Sequence, residues 1–192
     1  MTKKTRIALF YEYMSHIFED NEIKEMTGKL DGMRFFEAPA STKYHGNYKG
    51  GLFDHSANVT NALVNLTIRE GLNWERPQSP YIIGMFHDLC KCDQYKLLQG
   101  RYEDGKATTE YNEWEYATDT ILKGHGDKSV MLASTLTQLT LEEVCCIRYH
   151  MGAFTDKEEW NYYTRAIHKY PNVLYTHTAD MIAAHIKEID NG

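Results

Sequence analysis

Two adjacent polar residues, His87 and Asp88, directly follow the apolar run 81–86, Tyr-Ile-Ile-Gly-Met-Phe. A helix over this run would be buried, so we expect the pair at its inner end. Burying two polar side chains is costly unless something charged or hydrogen-bonding receives them. Imidazole nitrogen and carboxylate oxygen are both ordinary ligands of divalent metals. The pair therefore predicts a metal site in the protein core.

Further candidate ligands are spread along the chain, each on a predicted helix or at a helix end: His55, His125, His150 and Asp180. His55 falls on an apolar helical face with Leu52 and Val59, and Asp180 falls in a stripe with Val173. A single histidine on an apolar face is more often a core residue than a ligand. Several such residues, together with an adjacent His-Asp pair, favour a metal site. Helical bundles build such sites with one ligand from each helix.

The order of these residues, His55, then His87-Asp88, then Asp180, resembles the HD-domain superfamily of metal-dependent phosphohydrolases. Residues 44–56 read Tyr-His-Gly-Asn-Tyr-Lys-Gly-Gly-Leu-Phe-Asp-His-Ser. This segment is similar to a motif of the HD domain in certain bacterial 3′→5′ exoribonucleases: His-His, a short spacer, then Gly-Gly-Leu-Leu-Glu-His-Thr/Ser.

The same branch has four further motifs: Leu-His-Asp-hydrophobic-Gly-Lys, Gly-His, His-His-Gly and His-x-x-Asp. Their counterparts here are residues 86–91, 124–125, 149–152 and 177–180, so the resemblance covers residues 35–186. Tyr44 replaces the first His of the His-His pair, Cys90 the Gly before Lys91, and Met151 the second His of His-His-Gly. We expect no counterpart of the exoribonucleases' oligonucleotide-binding domain before residue 35, which argues against processive action on RNA.

The resemblance implies divalent ions that activate a hydroxide and polarise a phosphoryl oxygen. Asp88 has two carboxylate oxygens and is the natural bridge between two ions. His55, His87 and Asp180 would complete the first centre, and His125 and His150 would hold the second. If His125 and His150 are only core or capping residues, the site would be mononuclear, as in HD nucleotidases.

Other residues are candidates for substrate contact. Lys91 follows Asp88 by three residues and is expected to point its charge at a substrate phosphate, unless it is a solvated lysine at a helix end. His45 is a substrate-binding candidate through the resemblance. Trp160 is a candidate for stacking on a nucleobase, although aromatic residues at helical spacing are more often core. His177 is expected to orient Asp180, and we take His16, His168 and His185 as surface residues.

The elements that must position these residues are mostly helical. Periodicity and breakers predict helices over 5–18, 20–30, 50–70, the segment from Pro77 and Pro80 to Asp88, 120–138, 140–151, 156–169 and 171–188. The long helix should end at Gly71, and residues 94–98 and 109–114 should form a β-hairpin. These elements predict an all-α helical bundle with a small β-hairpin insertion near residues 94–117, and the resemblance implies that the bundle is an HD domain. It would be a single domain, 1–192, with covering helices in 1–35 and a metal-binding core in 36–188.

Composition narrows the partners. The chain has 192 residues, 42% of them hydrophobic, and a net charge of −6. An acidic chain is a poor general binder of phosphate backbones, so we expect a small phosphorylated substrate, a nucleotide, and no long nucleic acid. The four cysteines lack a zinc-finger spacing, and the sequence shows no signal peptide and no long apolar run. These features predict a cytoplasmic protein with reduced thiols and no membrane contact. The oligomeric state stays open.

The sequence thus predicts an enzyme: a metal-dependent phosphomonoesterase or phosphodiesterase acting on a nucleotide or short oligonucleotide. Its catalytic residues would be Asp88 and Lys91. Histidine and aspartate ligands accept Mn, Fe, Ni, Co, Zn or Mg, so one or two divalent ions of open identity are expected. Two alternatives stand beside this reading: an HD-fold di-iron oxygenase, and a non-catalytic metal-stabilised domain that binds a nucleotide or a partner.

Overall fold

The computed structural model describes residues 1–97, 102–103, 106–107 and 114–187. Within them the chain is mostly helical, as predicted. The α-helices are α1 (Lys3–Met14), α2 (Asp20–Gly32), α3 (Gly51–Glu70), α4 (Ser79–Phe86), α5 (Gly126–Ser134), α6 (Leu141–Arg148), α7 (Trp160–Lys169) and α8 (Asn172–Ile182). Short 3₁₀ turns cover Leu89–Cys92, Gly152–Phe154 and Lys157–Glu159, and a π-helical turn, Ala183–Lys187, continues α8.

A small antiparallel β-structure interrupts the helices, which confirms the predicted hairpin. Strand β1 (Tyr95–Leu97) pairs with β4 (Trp114–Tyr116), and β2 (Tyr102–Glu103) pairs with β3 (Lys106–Ala107) inside that outer pair. The second strand was predicted at 109–114, but the strand seen is 114–116. Residues 109–113 lie outside the described residues.

Several other predicted helix boundaries were also wrong. The helix predicted over 120–138 begins only at Gly126, because Gly124 has a φ of +94°, which interrupts a right-handed helix. His125 therefore becomes the residue that caps α5 rather than one inside it. The first helix, predicted over 5–18, ends at Met14. The long helix α3 ends at Glu70 with Gly71 as its cap, as predicted.

The core is built from large aromatic and aliphatic side chains that are fully buried: Phe10, Phe35, Phe36, Phe53, Phe86, Met14, Ile23, Leu30, Leu52, Leu63, Ile82 and Ile83. Phe10 of α1 packs edge-on against Phe36 at a ring separation of 5.8 Å and lies 6.4 Å from Phe86 of α4. The N-terminal helices thus cover the core that α3 and α4 build. None of the helices in the described ranges combines the length and apolar character needed to cross a membrane.

Helix α3 is the centre of the bundle and packs mainly against α4 and α8. The α3–α4 contact is close because Gly84 has no side chain: a Cβ atom there would lie 2.5 Å from Thr60 Cα. Helix α3 carries His55 and α4 ends at His87, so the same close contact brings these two rings to 5.3 Å between centroids.

Buried ion pairs lock the ends of these helices. Arg6 of α1 holds the Asp54 carboxylate of α3 with two hydrogen bonds of 2.8 Å. Glu143, fully buried at the start of α6, accepts hydrogen bonds from Arg76 at 2.6 Å and from Ser79 at 2.8 Å. Because Ser79 begins α4, this carboxylate sets α4 relative to α6. Breaking such a pair would leave a buried charge without a partner.

Candidate metal centre

The six residues predicted as metal ligands come together from five parts of the fold. His55 lies on α3, His87 caps the end of α4, Asp88 follows it, His125 caps the start of α5, His150 follows α6, and Asp180 lies on α8. His55, His87, Asp88 and His150 are at most 2% exposed. The His125 side chain is 28% exposed and that of Asp180 17%. The cluster is therefore buried but opens to solvent along one side.

One oxygen of Asp88 belongs to a group of four potential ligand atoms, with one atom each from His55, His87 and Asp180. His55 Nε2 lies 3.0 Å from Asp180 Oδ1, 3.6 Å from Asp88 Oδ2 and 3.4 Å from His87 Nε2. His87 Nε2 lies 3.4 Å from Asp88 Oδ2 and 3.9 Å from Asp180 Oδ1. Ligand atoms about 2.1 Å from one ion are about 3.0 Å apart at a right angle and about 3.4 Å apart at the tetrahedral angle. These atoms are therefore spaced suitably for one divalent ion.

The other oxygen of Asp88 faces a second pair of histidines. His125 Nε2 is 2.7 Å from Asp88 Oδ1, and His150 Nε2 is 3.4 Å from the same oxygen. The rings of His125 and His150 are 5.0 Å apart between centroids. One buried carboxylate thus presents each of its oxygens to a different pair of imidazoles. His150 is also within ligand range of His87 and Asp180, so it stands between the two groups.

The hydrogen bonds of two histidines show why these donor atoms fit a cation. Nδ1–H of His87 donates to the Gly84 carbonyl at 2.9 Å, and Nδ1–H of His150 donates to the Ile147 carbonyl at 2.8 Å. In an uncharged ring this leaves the lone pair on Nε2. Both Nε2 atoms face carboxylate oxygens, which are also acceptors, and the buried His150 Nε2 has no hydrogen-bond partner among the described residues. Acceptors that converge in a buried site need a cation between them.

Electrostatics prepares the site for a positive ion. Burial opposes ionisation of Asp88, but the charge of Lys91 and the hydrogen bond from His125 hold its pKa well below the ordinary value. For Asp180, burial is again outweighed by the hydrogen bond and charge of His55, so its pKa is lowered. Burial lowers the pKa of His87, which keeps that ring uncharged and able to act as a ligand. Ionised carboxylates beside an uncharged imidazole suit a divalent metal.

Lys91 lies beside the predicted bridge. Its Nζ is 2.7 Å from Asp88 Oδ2, and its side chain is 13% exposed, so it is not the solvated lysine of the alternative interpretation. Burial lowers the pKa of Lys91, but the Asp88 carboxylate raises it further and leaves it above the ordinary 10.5. The ammonium group is therefore a permanent positive charge at the edge of the cluster. Whether it contacts a phosphate stays a prediction.

Cys90 is a donor that the sequence did not single out. Its Sγ lies 3.4 Å from His125 Nδ1, and Asp88, Cys90 and His125 form a further group of potential ligands. Burial raises the pKa of the thiol to about 12, so the sulfur stays protonated at neutral pH, and its S–H donates to Gln94 Oε1 at 4.0 Å. The sequence signal for Cys90 was its position between Asp88 and Lys91, where the Leu-His-Asp-hydrophobic-Gly-Lys motif has glycine. As predicted, all four cysteines are unpaired.

Two neighbouring residues make contacts that the sequence did not predict. Trp160 lies at the start of α7, 46% exposed, and its indole N–H donates to the Thr155 carbonyl at 2.9 Å. None of its described contacts is with the cluster. His177 does not orient Asp180 through any described bond; its Nδ1–H donates to the His150 carbonyl at 2.8 Å and so supports the backbone of a ligand. Helical spacing predicts the face of the helix on which a side chain lies, but it does not predict which residue of another segment that side chain contacts.

His45 does lie beside the cluster, with its ring 5.0 Å from that of His55 between centroids. It also lines a cleft of about 1020 Å³ that opens next to α3. His185, predicted to be a simple surface residue, lines the same cleft. The cleft therefore reaches the candidate metal centre through His45.

Comparisons of the chain with protein-family models, curated proteins and solved structures found no significant match.

Proposed function

We propose that this chain is an HD-domain metal-dependent phosphohydrolase that hydrolyses a phosphate ester of a nucleotide or short oligonucleotide. The observation that supports the proposal is that the two carboxylate oxygens of Asp88 face different histidines. Oδ2 faces His55 and His87, and Oδ1 faces His125 and His150. A carboxylate that offers each oxygen to a separate set of ligands is suited to join two ions. The order of the motifs along the chain supports the same assignment.

In this proposal His55, His87, Asp88 and Asp180 hold one ion, and Asp88, His125 and His150 hold the other. The ions, when bound, supply Lewis acidity that polarises a phosphoryl oxygen and makes water a stronger nucleophile at neutral pH. The remaining tasks fall to the protein. The carbonyls of Gly84 and Ile147 fix the rings of His87 and His150, and burial excludes bulk water from their Nε2 atoms.

Lys91 has the position and charge to bind the substrate. Its ammonium group stays protonated at neutral pH because Asp88 lies 2.7 Å away. A phosphate at the open side of the cluster would be attracted by this charge, which would also stabilise the negative charge that develops during hydrolysis. Asp88 and Lys91 are therefore the residues to which we assign the chemistry.

The direct test is turnover after metal reconstitution. Protein stripped with a chelator would be reloaded anaerobically with Mn²⁺, Fe²⁺, Co²⁺, Ni²⁺, Zn²⁺ or Mg²⁺ and assayed on mononucleotides, cyclic nucleotides, dinucleotides and RNA. We expect metal-dependent hydrolysis with similar rates per scissile bond on dinucleotides and long RNA, and a weak dependence on salt, because the chain is acidic.

Other results of that assay would replace the proposal. Oxygen uptake by the iron-loaded protein, without ester hydrolysis, would identify a di-iron oxygenase. Nucleotide binding without turnover for every metal would identify a binding domain. A rate that rises steeply with RNA length and collapses with salt would return the chain to exoribonuclease-like action.

Lys91→Met is expected to lower kcat/KM for a nucleotide ester by about 100-fold while leaving the metal content unchanged, because the lysine binds phosphate and not the ions. The measurements are steady-state kinetics and metal analysis of the same samples. Lys96→Met is the matched control, since Lys96 lies nearby on β1 with a 50% exposed side chain paired to Glu115. Loss of metal from the Lys91→Met protein would show that the lysine only maintains Asp88.

A further inference from the structure

A cleft of about 1020 Å³ lies beside the candidate metal centre. Its walls come from α1, the loop before α3, the outer face of α3 and the π-helical turn after α8. This volume is at the upper end of the range of about 300–1,000 Å³ that is typical of small-molecule sites. His45 separates the cleft from His55, so a ligand in the cleft is one side chain away from the cluster.

One stripe of α3 forms the floor of the cleft: Asp54, Ala57, Asn58 and Asn61, spaced at three and four residues. His55 lies on the same helix but faces the core, where it is 1% exposed. Helix α3 therefore carries a metal ligand on one face and a polar binding surface on another. Ala57 has only a methyl side chain and so leaves space above the middle of that surface. The two sites are rigidly connected through one helix.

The chemistry of the lining is aromatic and amide-rich. Tyr44 is 79% exposed and Tyr48 43%, so both present ring surface, and Asn58 and Asn61 offer amide donors and acceptors. Tyr13 closes the far side and is hydrogen-bonded to Asn61. Tyrosine faces stack on flat rings, and amides match the mixed donor and acceptor edges of nucleobases.

Charge argues against a second phosphate in this cleft. Among its described lining residues, none is a lysine or an arginine, and the Asp54 carboxylate is already held by Arg6 and by the Tyr48 hydroxyl at 3.1 Å. A lysine is instead present at the cluster: Lys91 Nζ lies 2.7 Å from Asp88 Oδ2, the oxygen that faces His55. A ligand that extends from cleft to cluster would thus have its uncharged, flat part in the cleft and its anionic part at the cluster.

We propose that the cleft binds the nucleoside part of a nucleotide whose phosphate lies at the metal centre, with Tyr44 stacking on the base and Asn61 reading its edge. This inference rests on the proposed function and places the base at α3 rather than at Trp160. His45 lies at the junction of the two parts. His185, on the π-helical turn, also lines the cleft.

The test compares two classes of substrate, with and without a base, in three proteins. Wild type, Asn61→Leu and Asn65→Leu would be assayed with Mn²⁺ on ribonucleoside monophosphates and dinucleotides and on p-nitrophenyl and bis(p-nitrophenyl) phosphate, which have no base. Asn65 is the matched control because it is exposed on the same helix one turn away and does not line the cleft. Asn61→Leu should lower kcat/KM about 10-fold for nucleotides and leave the base-free esters within about 2-fold.

A second readout is independent of turnover. Isothermal titration of the four ribonucleosides should show binding to wild type and to Asn65→Leu, weakened in Asn61→Leu and in Tyr44→Ala, whose exposed position makes misfolding no concern. Equal losses on nucleotides and base-free esters in Asn61→Leu would overturn the nucleoside site alone. Absence of hydrolysis of every ester with every metal would overturn the proposed function, and absence of nucleoside binding would then overturn the cleft assignment as well.

Discussion

Asp88→Asn is expected to remove both metal ions and to lower turnover by at least about 1,000-fold. The reason is that both oxygens of Asp88 are in use, Oδ2 toward His55 and His87 and Oδ1 toward His125 and His150. An asparagine keeps one oxygen and replaces the other by an NH₂ group that cannot bind a cation. Metal analysis after reconstitution and kinetics on the best ester would measure both losses. Asp119→Asn, at an exposed position, is the control.

Asp88→Asn should also lower the free energy of unfolding of the metal-free protein. Lys91 loses its 2.7 Å partner, and breaking a buried ion pair costs about 3 kcal/mol of the free energy of unfolding. The Asp88 pKa is below its ordinary value of 3.8 in the folded protein, so its stabilising effect is complete above that pH and is lost as the pH falls through the lowered pKa. The difference between wild type and Asp88→Asn should thus be constant from pH 7 to pH 5. Full metal occupancy in Asp88→Asn would refute the bridging role.

His150→Leu is expected to reduce the metal content from about two ions to about one and to lower turnover by about 100-fold. Its Nε2 is buried, lies 3.4 Å from Asp88 Oδ1 and has no hydrogen-bond partner in the described residues. A leucine removes this unsatisfied atom. The free energy of unfolding of the metal-free variant should therefore lie within about 1 kcal/mol of the wild-type value. The metal-loaded variant should be clearly less stable than metal-loaded wild type, because it has lost one stabilising ligand.

Thermal unfolding with and without Mn²⁺, combined with metal analysis, would show whether the variant is as stable as wild type without metal and less stable than wild type with metal. His168→Leu serves as the control, since His168 is an exposed histidine of α7. A wild-type protein that never binds more than one equivalent under excess Mn²⁺ would establish a mononuclear centre and contradict the role given to His150. A large loss of stability in the metal-free His150→Leu protein would show that the ring is a packing residue.

Much of the architecture was predictable because local sequence determines local structure. Apolar periodicity located α3, and the glycine at 71 marked its end; the apolar run 81–86 located α4. The polar residues that broke these apolar patterns, His55, His87 and Asp88, were recognisable because buried polar groups need partners. The start of α5 was missed because periodicity does not register a single left-handed glycine at 124.

The sequence by itself determined which residues are able to bind a metal and which helices carry them, since both depend on residue type and on spacing along one element. Only the tertiary structure decided how they meet: that Asp88 divides its oxygens between two pairs of histidines, that Lys91 is paired with Asp88, and that Cys90 lies against His125. It also assembled the cleft from both ends of the described chain. The physical reason is that distances between side chains from remote segments depend on helix packing, such as the close approach at Gly84, and no periodicity within one segment records them.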